Sequence, residues 1–421
     1  MNHQALSIPS CADPADPESI RVATALDHIT QRITAVAEFE SLPIRDCLGR
    51  INFKPVKSPI NVPGHANSAM DGFAIAFNSL NRSGITVLKE IGTAYAGTTF
   101  SGRCADNECV RIMTGAVMPQ GTDTVIMQEK AELDEAGRVR IDSRHRPGEN
   151  VRHAGEDICA GQVILESGEP INPANLGVLA SLGISQLQVY RKPVVAFFST
   201  GDELISVGQA LEKGKIYDSN RYTLYGLLSR MAVDILDLGV IKDDPDSIRQ
   251  ALLTATHKAD LVITTGGVSV GEADYIKQVL NDIGNMVFWK IAIKPGRPLT
   301  FGQINRSVFM GLPGNPVAVM VTFSQFVEPC IQLISGTRIH HPPRLQATCT
   351  DVLRKQPGRL EIQRGIAVAD QNNQWKVSKT GQQGSGILTS MSRANCFILL
   401  DEDNAGVKPG DVVDIQFFDW A

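Results

Sequence analysis

The sequence predicts a multidomain chain of α/β and β structure, organised around a central, doubly wound, mostly parallel α/β domain. Over residues 193–337, short apolar and β-branched runs alternate with helical patterns, as consecutive βαβ units do. On either side of this region, short strand patterns alternate with turns, which predicts a small β domain before it and another after it. A chain of 421 residues is also too long to fold around a single hydrophobic core of ordinary size, which predicts more than one domain.

Composition and charge narrow the possible partners. Hydrophobic residues make up 43% of the chain and charged residues 20%, as in soluble globular proteins. The net charge of −5 at pH 7 gives no general attraction to nucleic acid or anionic membranes, so any anion site must be local. No run reaches the roughly 18 apolar residues of a spanning helix, and the N-terminus lacks a signal-peptide pattern. We therefore expect a cytoplasmic protein with no membrane or nucleic-acid partner.

The eight cysteines are scattered and form no CxxC pair. In a cytoplasmic chain of this size, we expect them to be reduced and mostly buried. A zinc site is not expected, because zinc sites use closely spaced cysteines and histidines.

The first part of the chain predicts one helix and extended segments. Residues 1–18 are polar and Pro-rich, and we expect them to be disordered. Residues 19–37 place apolar side chains at helical spacing, whereas 44–51 and 54–58 read as extended chain. We assign 19–58 to a linking domain.

A small β domain is predicted over residues 59–154. It begins with a loop that contains Asp71 between prolines and glycines. The predicted strands are 85–90, 109–113, 124–127 and 139–141. A charged, Gly-rich boundary follows, in which Asp157 is either a surface or capping carboxylate or a site residue. Residues 155–192 return to the linking domain and contain a short predicted helix, 173–182.

The α/β domain is predicted over residues 193–337, with a β domain at 338–421. The α/β strands are predicted at 194–198, 232–239, 261–265, 286–293 and 308–312, and its helices at 221–231, 246–255, 275–282 and 317–331. We expect Ser219 or Asn220 to cap the first of these helices. The C-terminal strands are predicted at 347–353, 360–368, 375–379, 396–400 and 412–417.

Three predicted strands end in polar, Gly-rich loops, at residues 199–203, 266–267 and 313–316. Glycines allow backbone N–H groups to approach an anion closely, and open parallel sheets bind ligands at the carboxyl ends of their strands. A lone Gly266-Gly267 pair is more readily explained as a tight turn followed by a capping Asp274. Three such loops in one predicted sheet favour a real site.

Charged residues lie close to the same strand ends. The carboxylates of Glu203, Asp243 and Asp274 fit a Mg²⁺ site, which would relieve their repulsion of a phosphate. Cations that fit phosphate are Lys290, Lys294 and Arg297. Several of these residues also have a plainer interpretation. Glu203 and Asp243 could cap helices, and Lys290 and Lys294 could be solvated charges at a strand end. In the same way Thr114, which lies in the first β domain, could be a turn residue.

Five motifs in one order carry a family resemblance. They are NSAMDG at 67–72, RIMTG at 111–115, STGDEL at 199–204, GGVSVGEADY at 266–275 and LPGNP at 312–316. From residue 20 to the C-terminus, the sequence resembles the molybdopterin molybdenumtransferases, which are MoeA-type proteins similar to the E domain of gephyrin. The resemblance implies a four-part, elongated protomer with a molybdopterin-binding α/β domain and a C-terminal β-barrel-like domain.

The resemblance also implies an activity and its residues. Adenylylated molybdopterin and molybdate would be the substrates, with Mg²⁺-dependent cleavage of the pyrophosphate bond and release of AMP. Asp71, Thr114 and Asp157 would come from the partner of a homodimer to complete a composite active site with Glu203, Asp243 and Asp274. Substrate contacts are expected at Gly266, Gly267, Ser269, Lys290, Lys294, Arg297, Pro313, Gly314, Asn315, Pro316, Arg364 and Ser385. Transient contact with molybdopterin-handling proteins is also expected.

The sequence departs from the family pattern in small ways, with Arg297 where lysine is common and Ala318 where serine is common. Two alternative functions stay open. A molybdopterin adenylyltransferase would use a similar Gly-Gly loop but lacks the flanking domains. A scaffold that clusters receptors, of the gephyrin type, would not need the full set of acidic and basic site residues.

Overall fold

The computed structural model describes residues 19–266 and 275–420. The disorder predicted for residues 1–18 therefore lies outside the described residues, as do the predicted roles of Gly267, Ser269 and Asp274. By their internal contacts the residues form two compact units. The first contains the described parts of Met1–Glu40, Gly49–Phe53 and Val189–Ala421, and the second contains Ser41–Leu48 and Lys54–Gln188. The four domain boundaries taken from the sequence stay a prediction.

Up to residue 190, the described chain is mainly short strands. Its elements are α1 (Val22–Arg32), β1 (Phe39–Pro43), β2 (Val56–Lys57), β3 (Asn67–Ser68), β4 (Gly72–Ile75), β5 (Thr86–Ala94), β6 (Glu108–Ile112), β7 (Thr124–Met127), β8 (Ala131–Leu133), β9 (Val139–Ile141), β10 (Val151–Arg152), β11 (Val163–Leu165), α2 (Pro173–Ser181) and β12 (Gln186–Tyr190). Short 3-10 turns lie at Ile44–Cys47, Phe77–Ser79 and Gln128–Lys130. The first of these turns corrects our prediction that residues 44–51 are extended.

The second unit contains a six-stranded sheet in the order β7-β4-β6-β5-β9-β8. Strand β4 is wholly buried between β6 and β7, to both of which it is antiparallel. Its first residue must be glycine, because a Cβ on Gly72 would lie 1.9 Å from the carbonyl oxygen of Ile126. The preceding residue, Asp71, is therefore held at the start of a tightly packed strand.

The α/β part of the first unit alternates strands and helices. Its elements are β13 (Val194–Thr200), β14 (Leu204–Ile205), β15 (Ile216–Tyr217), α3 (Ser219–Leu228), β16 (Asp234–Ile241), α4 (Pro245–Lys258), β17 (Leu261–Thr265), α5 (Tyr275–Ile283), β18 (Gly284–Lys290), β19 (Ile293–Lys294), β20 (Pro298–Ile304), β21 (Ser307–Leu312), α6 (Pro316–Thr322), a π-helical turn (Phe323–Val327) and α7 (Glu328–Ile334).

Six of these strands form a mixed sheet in the order β16-β13-β17-β21-β20-β18. Strands β16, β13, β17 and β21 are parallel to one another, so that their carboxyl ends meet at one edge. Every residue of β17 is buried, as expected for a strand covered on both faces. The predicted doubly wound, mostly parallel α/β domain is thereby confirmed.

Two local predictions in this domain were wrong. The strand predicted at 286–293 ends at Lys290, and a separate β20 that the sequence analysis missed pairs antiparallel with both β18 and β21. The N-cap of α3 is Asp218 rather than Ser219 or Asn220, because the Asp218 side chain accepts a hydrogen bond from the backbone N–H of Arg221.

The helical segment Pro316–Ile334 corrects our expectation that no run is long and apolar enough to cross a membrane. By length and composition alone it passes that test, although 67% of its apolar window is buried inside the fold. Its residues, including Phe326 and Cys330, belong to the same buried cluster as Phe197 of β13. Burial of this kind is typical of a core helix.

The C-terminal part forms a closed β-barrel, as predicted. It consists of β22 (Leu345–Cys349), β23 (Leu360–Ala369), β24 (Trp375–Lys379), α8 (Leu388–Arg393), β25 (Cys396–Leu400) and β26 (Val412–Phe417). The strand order β23-β24-β22-β26-β25 is closed by pairing of β25 with β23. Helix α8 was not predicted.

The barrel and the α/β sheet are joined within the first unit. Strand β19 pairs parallel with β23, which sets Lys294 opposite Glu361. Buried side chains of both parts, such as Phe301 and Phe397, belong to one apolar cluster, which also takes in Ile29 of α1. The loops at the carboxyl edge of the sheet therefore face a barrel held in place by a shared core.

Candidate active site

The three Gly-rich loops predicted from the sequence converge in the structure. Gly266, at the end of β17, has a φ of +82°, and a Cβ placed on it would lie 2.3 Å from the carbonyl oxygen of Thr200, the last residue of β13. A Cβ on Gly314 would lie 3.8 Å from Cα of Gly266. The ends of β13, β17 and β21 thus meet at one place, with backbone rather than side chains at the surface.

A cavity of about 1180 Å³ opens at this meeting point, within the first unit. Its described wall combines the strand-end loops of the α/β sheet with one side of the barrel. Four cationic and three acidic side chains line that described wall, namely Lys294, Arg297, Arg359, Arg364, Glu203, Asp218 and Glu361. Its size and mixed charge suit a large anionic ligand with polar ends.

Two of the predicted metal ligands lie at adjacent strand ends. Glu203 is exposed and lines the cavity. Its carboxylate lies so close to Gly201 that a Cβ there would be 2.7 Å from Glu203 Oε2. Asp243, after β16, accepts a 3.0 Å hydrogen bond on Oδ1 from the Thr200 hydroxyl, although it is not part of the described cavity wall. Neither residue caps a helix; the cap of α4 is Asp244.

Lys294 and Arg297 both line the cavity, as predicted for phosphate contacts. Lys294 Nζ is 3.1 Å from Glu361 Oε2, and this glutamate side chain is only 8% exposed. Arg297 is buried, and its Nε donates to Ser19 Oγ over 3.3 Å. Lys290 is half-buried, pairs with Pro298 across β18 and β20, and is not part of the described cavity wall.

Arg364 lines the cavity but is almost fully buried. Its guanidinium donates to the carbonyl oxygens of Gln383 and Gly384 and to Ser390 Oγ. Burial lowers the pKa of Arg364 to about 10. The carbonyl of the adjacent Ser385 accepts a hydrogen bond from the backbone N–H of Val317. In this structure, Arg364 therefore holds the loop that contains Ser385 against the start of α6.

The sequence analysis did not place Asp218 and Asn220 in the site, yet both line the cavity and both are buried. Asn220 Nδ2 donates a 2.7 Å hydrogen bond to the carbonyl oxygen of Gly314. The signal was present, because the polar run at 218–220 lies between a short strand and a helix. The other three loops were predicted to belong to the site because they, too, are polar and follow a strand.

In the second unit, Asp71 and Thr114 are in direct contact. Asp71 Oδ1 accepts hydrogen bonds from both the backbone N–H and the hydroxyl of Thr114, each over 2.7 Å. These two bonds hold the pKa of Asp71 below its usual value. Asp157 is exposed, and its backbone N–H bonds to the carbonyl of Val62. Asp71 and Thr114 thus form an exposed, hydrogen-bonded pair in which the Asp71 carboxyl is ionised at physiological pH.

Three family models match the chain. One described as MoeA N-terminal region (domain I and II) matches residues 20–183. A second, described as probable molybdopterin binding domain, matches residues 196–333. The third, MoeA C-terminal region (domain IV), matches residues 346–418.

Several curated proteins are similar to the chain over most of its length. A molybdopterin molybdenumtransferase of Haemophilus influenzae is 42% identical over 94% of this chain and 97% of its own. Another, from a Nostoc species, is 33% identical over 94% and 92%. A gephyrin of Dictyostelium discoideum is 32% identical over 89% of this chain and 59% of its own.

Among solved structures, a molybdopterin biosynthesis moeA protein from Pyrococcus horikoshii superposes with a TM-score of 0.82. It is 27% identical to the chain, and the match covers 95% of this chain and all of the other.

Proposed function

Because the chain belongs to the family of MoeA-type molybdopterin molybdenumtransferases of molybdenum cofactor biosynthesis, we propose that it inserts molybdate into adenylylated molybdopterin. The pyrophosphate bond of the substrate is cleaved, AMP is released, and molybdenum-molybdopterin is the product. Catalysis takes place in the large cavity at the carboxyl edge of the α/β sheet.

The observation that carries this proposal is the convergence of Thr200, Gly266 and Gly314 beside a cavity of about 1180 Å³. Backbone N–H groups at glycine turns bind phosphate oxygens, and a cavity of this size accommodates a ligand that joins a pterin and a nucleotide. Lys294 and Arg297 add positive charge beside those turns. In a chain of net charge −5, such local charge is what a polyphosphate site requires.

The carboxylates present fit Mg²⁺, which prefers oxygen ligands. Glu203 and Asp243 would hold it, together with Asp274, which lies outside the described residues. When bound, Mg²⁺ would neutralise negative charge on the phosphoanhydride. The Thr200 hydroxyl orients Asp243 by donating to Oδ1, which leaves Oδ2 available.

The chain's own cations would bind and orient the substrate. Lys294 is half exposed in the cavity, and its partner Glu361 is fixed from behind by a 2.8 Å hydrogen bond from Gln363 Nε2 to Oε1. The ammonium group of Lys294 is paired with one fixed carboxylate and is half exposed, so it can turn toward an arriving phosphate. Arg297 supplies a second positive charge, and because its side chain is buried, the surrounding residues hold it in position.

We further propose a cytoplasmic homodimer whose partner supplies Asp71, Thr114 and Asp157 to the active site. Two features support an association of this kind. Helix α3 exposes Tyr222 and Tyr225, at 53% and 54%, and exposed aromatic side chains are enriched in protein interfaces. Asp71 and Thr114 form a preassembled, exposed pair that does not stabilise a core. The chain would also contact molybdopterin-handling proteins transiently.

The proposal is tested by incubating the purified chain with adenylylated molybdopterin, molybdate and Mg²⁺. AMP release that depends on molybdate, together with a product that activates an apo-molybdoenzyme, is expected. Synthesis of adenylylated molybdopterin from ATP and molybdopterin would indicate an adenylyltransferase instead. Absence of both reactions, with a folded protein, would leave the scaffold alternative.

A further inference from the structure

Two buried oxygen atoms of the cavity wall accept no hydrogen bond from the residues that the structure describes. They are Asp218 Oδ2 and Asn220 Oδ1. Asp218 is 1% exposed and Asn220 is 9% exposed, and both residues line the cavity. A buried polar atom without a hydrogen-bond partner destabilises the fold, so two of them in one wall call for an explanation.

The remaining polar atoms of these side chains are already used by the fold. Asp218 Oδ1 accepts a 3.2 Å hydrogen bond from the backbone N–H of Arg221, as the cap of α3. Asn220 Nδ2 donates to the carbonyl oxygen of Gly314, and a carbonyl requires a donor, which fixes the amide with Oδ1 as the free atom. The pair therefore offers two hydrogen-bond acceptors and no side-chain donor.

A ligand that satisfies two acceptors must present two donors. The substrate of the proposed function, on which this inference rests, has two ring ends. The aminopyrimidinone edge of its pterin carries a ring N–H next to an amino group, which are adjacent donors. The corresponding edge of adenine places its amino group next to a ring nitrogen that accepts. Two acceptors thus match the pterin and mismatch the adenine.

A bound water molecule also carries two donors, and equal neopterin affinity in the wild type and the variant tested below would assign the two oxygens to water. A divalent cation would satisfy them as well. Among the described residues, however, no group of three or more His, Cys, Asp or Glu side chains could hold a metal ion. Asp218 and Asn220 together bring only one carboxylate. We infer that Asp218 and Asn220 bind the N–H edge of the pterin ring and so set the end of the cavity at which the pterin lies.

The experiment compares wild type with Asp218→Asn by equilibrium titration with neopterin, a pterin without an adenylate, and separately with AMP. Asparagine caps helices as well as aspartate does, so α3 keeps its cap while an acceptor becomes a donor. Neopterin affinity should fall about 10-fold or more, since 1.4 kcal/mol corresponds to a factor of ten. AMP affinity should change less than about twofold on the same scale.

Asp237→Asn is the matched control, because Asp237 pairs with the Arg221 side chain beside α3 but is not part of the described cavity wall. It removes the same charge near the same arginine and should leave neopterin affinity unchanged. If Asp218→Asn does not fold, Asp218→Ser, which also caps a helix, takes its place.

Three results would overturn the inference: no neopterin binding by wild type, equal neopterin affinity in both proteins, or loss of AMP binding alone in the variant. Loss of Mg²⁺ binding with unchanged neopterin affinity would assign the pair to a cation. The proposed function fails separately, if neopterin binding depends on Asp218 but the wild type releases no AMP from adenylylated molybdopterin.

Discussion

The two side chains of the ion pair between Lys294 and Glu361 differ in their exposure to solvent, and this difference indicates the role of the lysine. Lys294 is 54% exposed in its side chain, whereas Glu361 is 8% exposed. A half-exposed pair of this kind contributes little to stability. The same exposure leaves the ammonium group accessible to a ligand in the cavity, so Lys294 serves binding more than folding.

Replacing Lys294 with alanine should therefore weaken binding of adenylylated molybdopterin about 10-fold, with little change in melting temperature. The dependence of the dissociation constant on salt should also become weaker, because one charge contact is lost. Lys242→Ala, at another strand end where the lysine is 77% exposed and paired with Asp244, is the control. Unchanged affinity across several salt concentrations would show Lys294 to be an ordinary surface charge.

The burial of Arg364 could not be predicted from the residue and its motif alone. The family resemblance marked it as a substrate contact. In the structure it lines the cavity, but it is buried and its guanidinium is bonded to Gln383, Gly384 and Ser390. A residue type and a motif indicate charge, but burial depends on which distant segments close over it. The polar run at 218–220 was a local signal for a loop, but only the fold brings Asn220 to Gly314.

At the scale of elements, the turn after β17 is fixed by Gly266. Its φ of +82° is unfavourable for residues with a side chain, and the carbonyl oxygen of Thr200 occupies the space that a Cβ would need. The Gly-Gly sequence predicted a tight turn or a close approach of the backbone to an anion. The close approach to Thr200 was not predicted, because Thr200 belongs to another strand.

Gly266→Ala should destabilise the chain by about 1–3 kcal/mol and abolish most AMP release, since the loop must move away from Thr200. Gly214→Ala separates the two causes. Gly214 has a φ of +86° but nothing within 4 Å of its Cβ position, so it carries backbone strain without the close approach. Urea unfolding and AMP-release rates measure both variants. Equal losses in the two would contradict a role for the contact with Thr200.

Helix α7 begins with Glu328, whose surroundings disfavour the ionised form of its carboxyl group. Burial, and then the nearby Asp419, raise the pKa of Glu328 to about 7, although Arg230 opposes the shift. A carboxyl whose pKa is higher in the folded chain stabilises the fold at low pH and loses that contribution as the pH rises through its folded pKa. The affected window extends from the ordinary value of 4.5 to above 7.

Glu328→Gln removes this titration and keeps the shape of the side chain. Relative to wild type, the variant should therefore become progressively more stable as the pH is raised from 5 to 8. Urea unfolding at each pH unit gives the difference in free energy, and Glu135→Gln, at an exposed turn, provides a control. A difference that does not vary with pH would rule out the raised pKa.

Elements were predictable from the sequence where local pattern and burial agree. The five residues of β17 were predicted with their observed bounds, because an apolar, β-branched run between polar ends has few other outcomes. Strand β20 was missed, because its start at Pro298 follows a Pro- and Gly-rich loop and its pairing with β18 and β21 is visible only in three dimensions. Helix α8 is too short, at 6 residues, to show a period.

For the whole molecule, the main proposal is a composite active site in a homodimer. Mixing Asp71→Ala protein with Glu203→Ala protein under subunit exchange should restore activity that neither has alone. One mixed dimer keeps one intact site and carries both lesions in the other. With random exchange about half the dimers are mixed, so recovery near a quarter of wild type is expected.

Native mass spectrometry of the mixture confirms that mixed dimers have formed, which is the necessary control. If they form and no activity returns, Asp71 and Glu203 act in the site of the same protomer. A monomeric chain with full activity would contradict the dimer itself.

We propose above all that the cavity at the carboxyl edge of the α/β sheet holds the substrate. A crystal structure of the chain with AMP and molybdate bound would reveal where the ligand lies. We expect the AMP phosphate against the backbone of Gly266 and Gly314, within reach of Lys294. AMP bound elsewhere on the chain, with this cavity filled only by solvent, would contradict it.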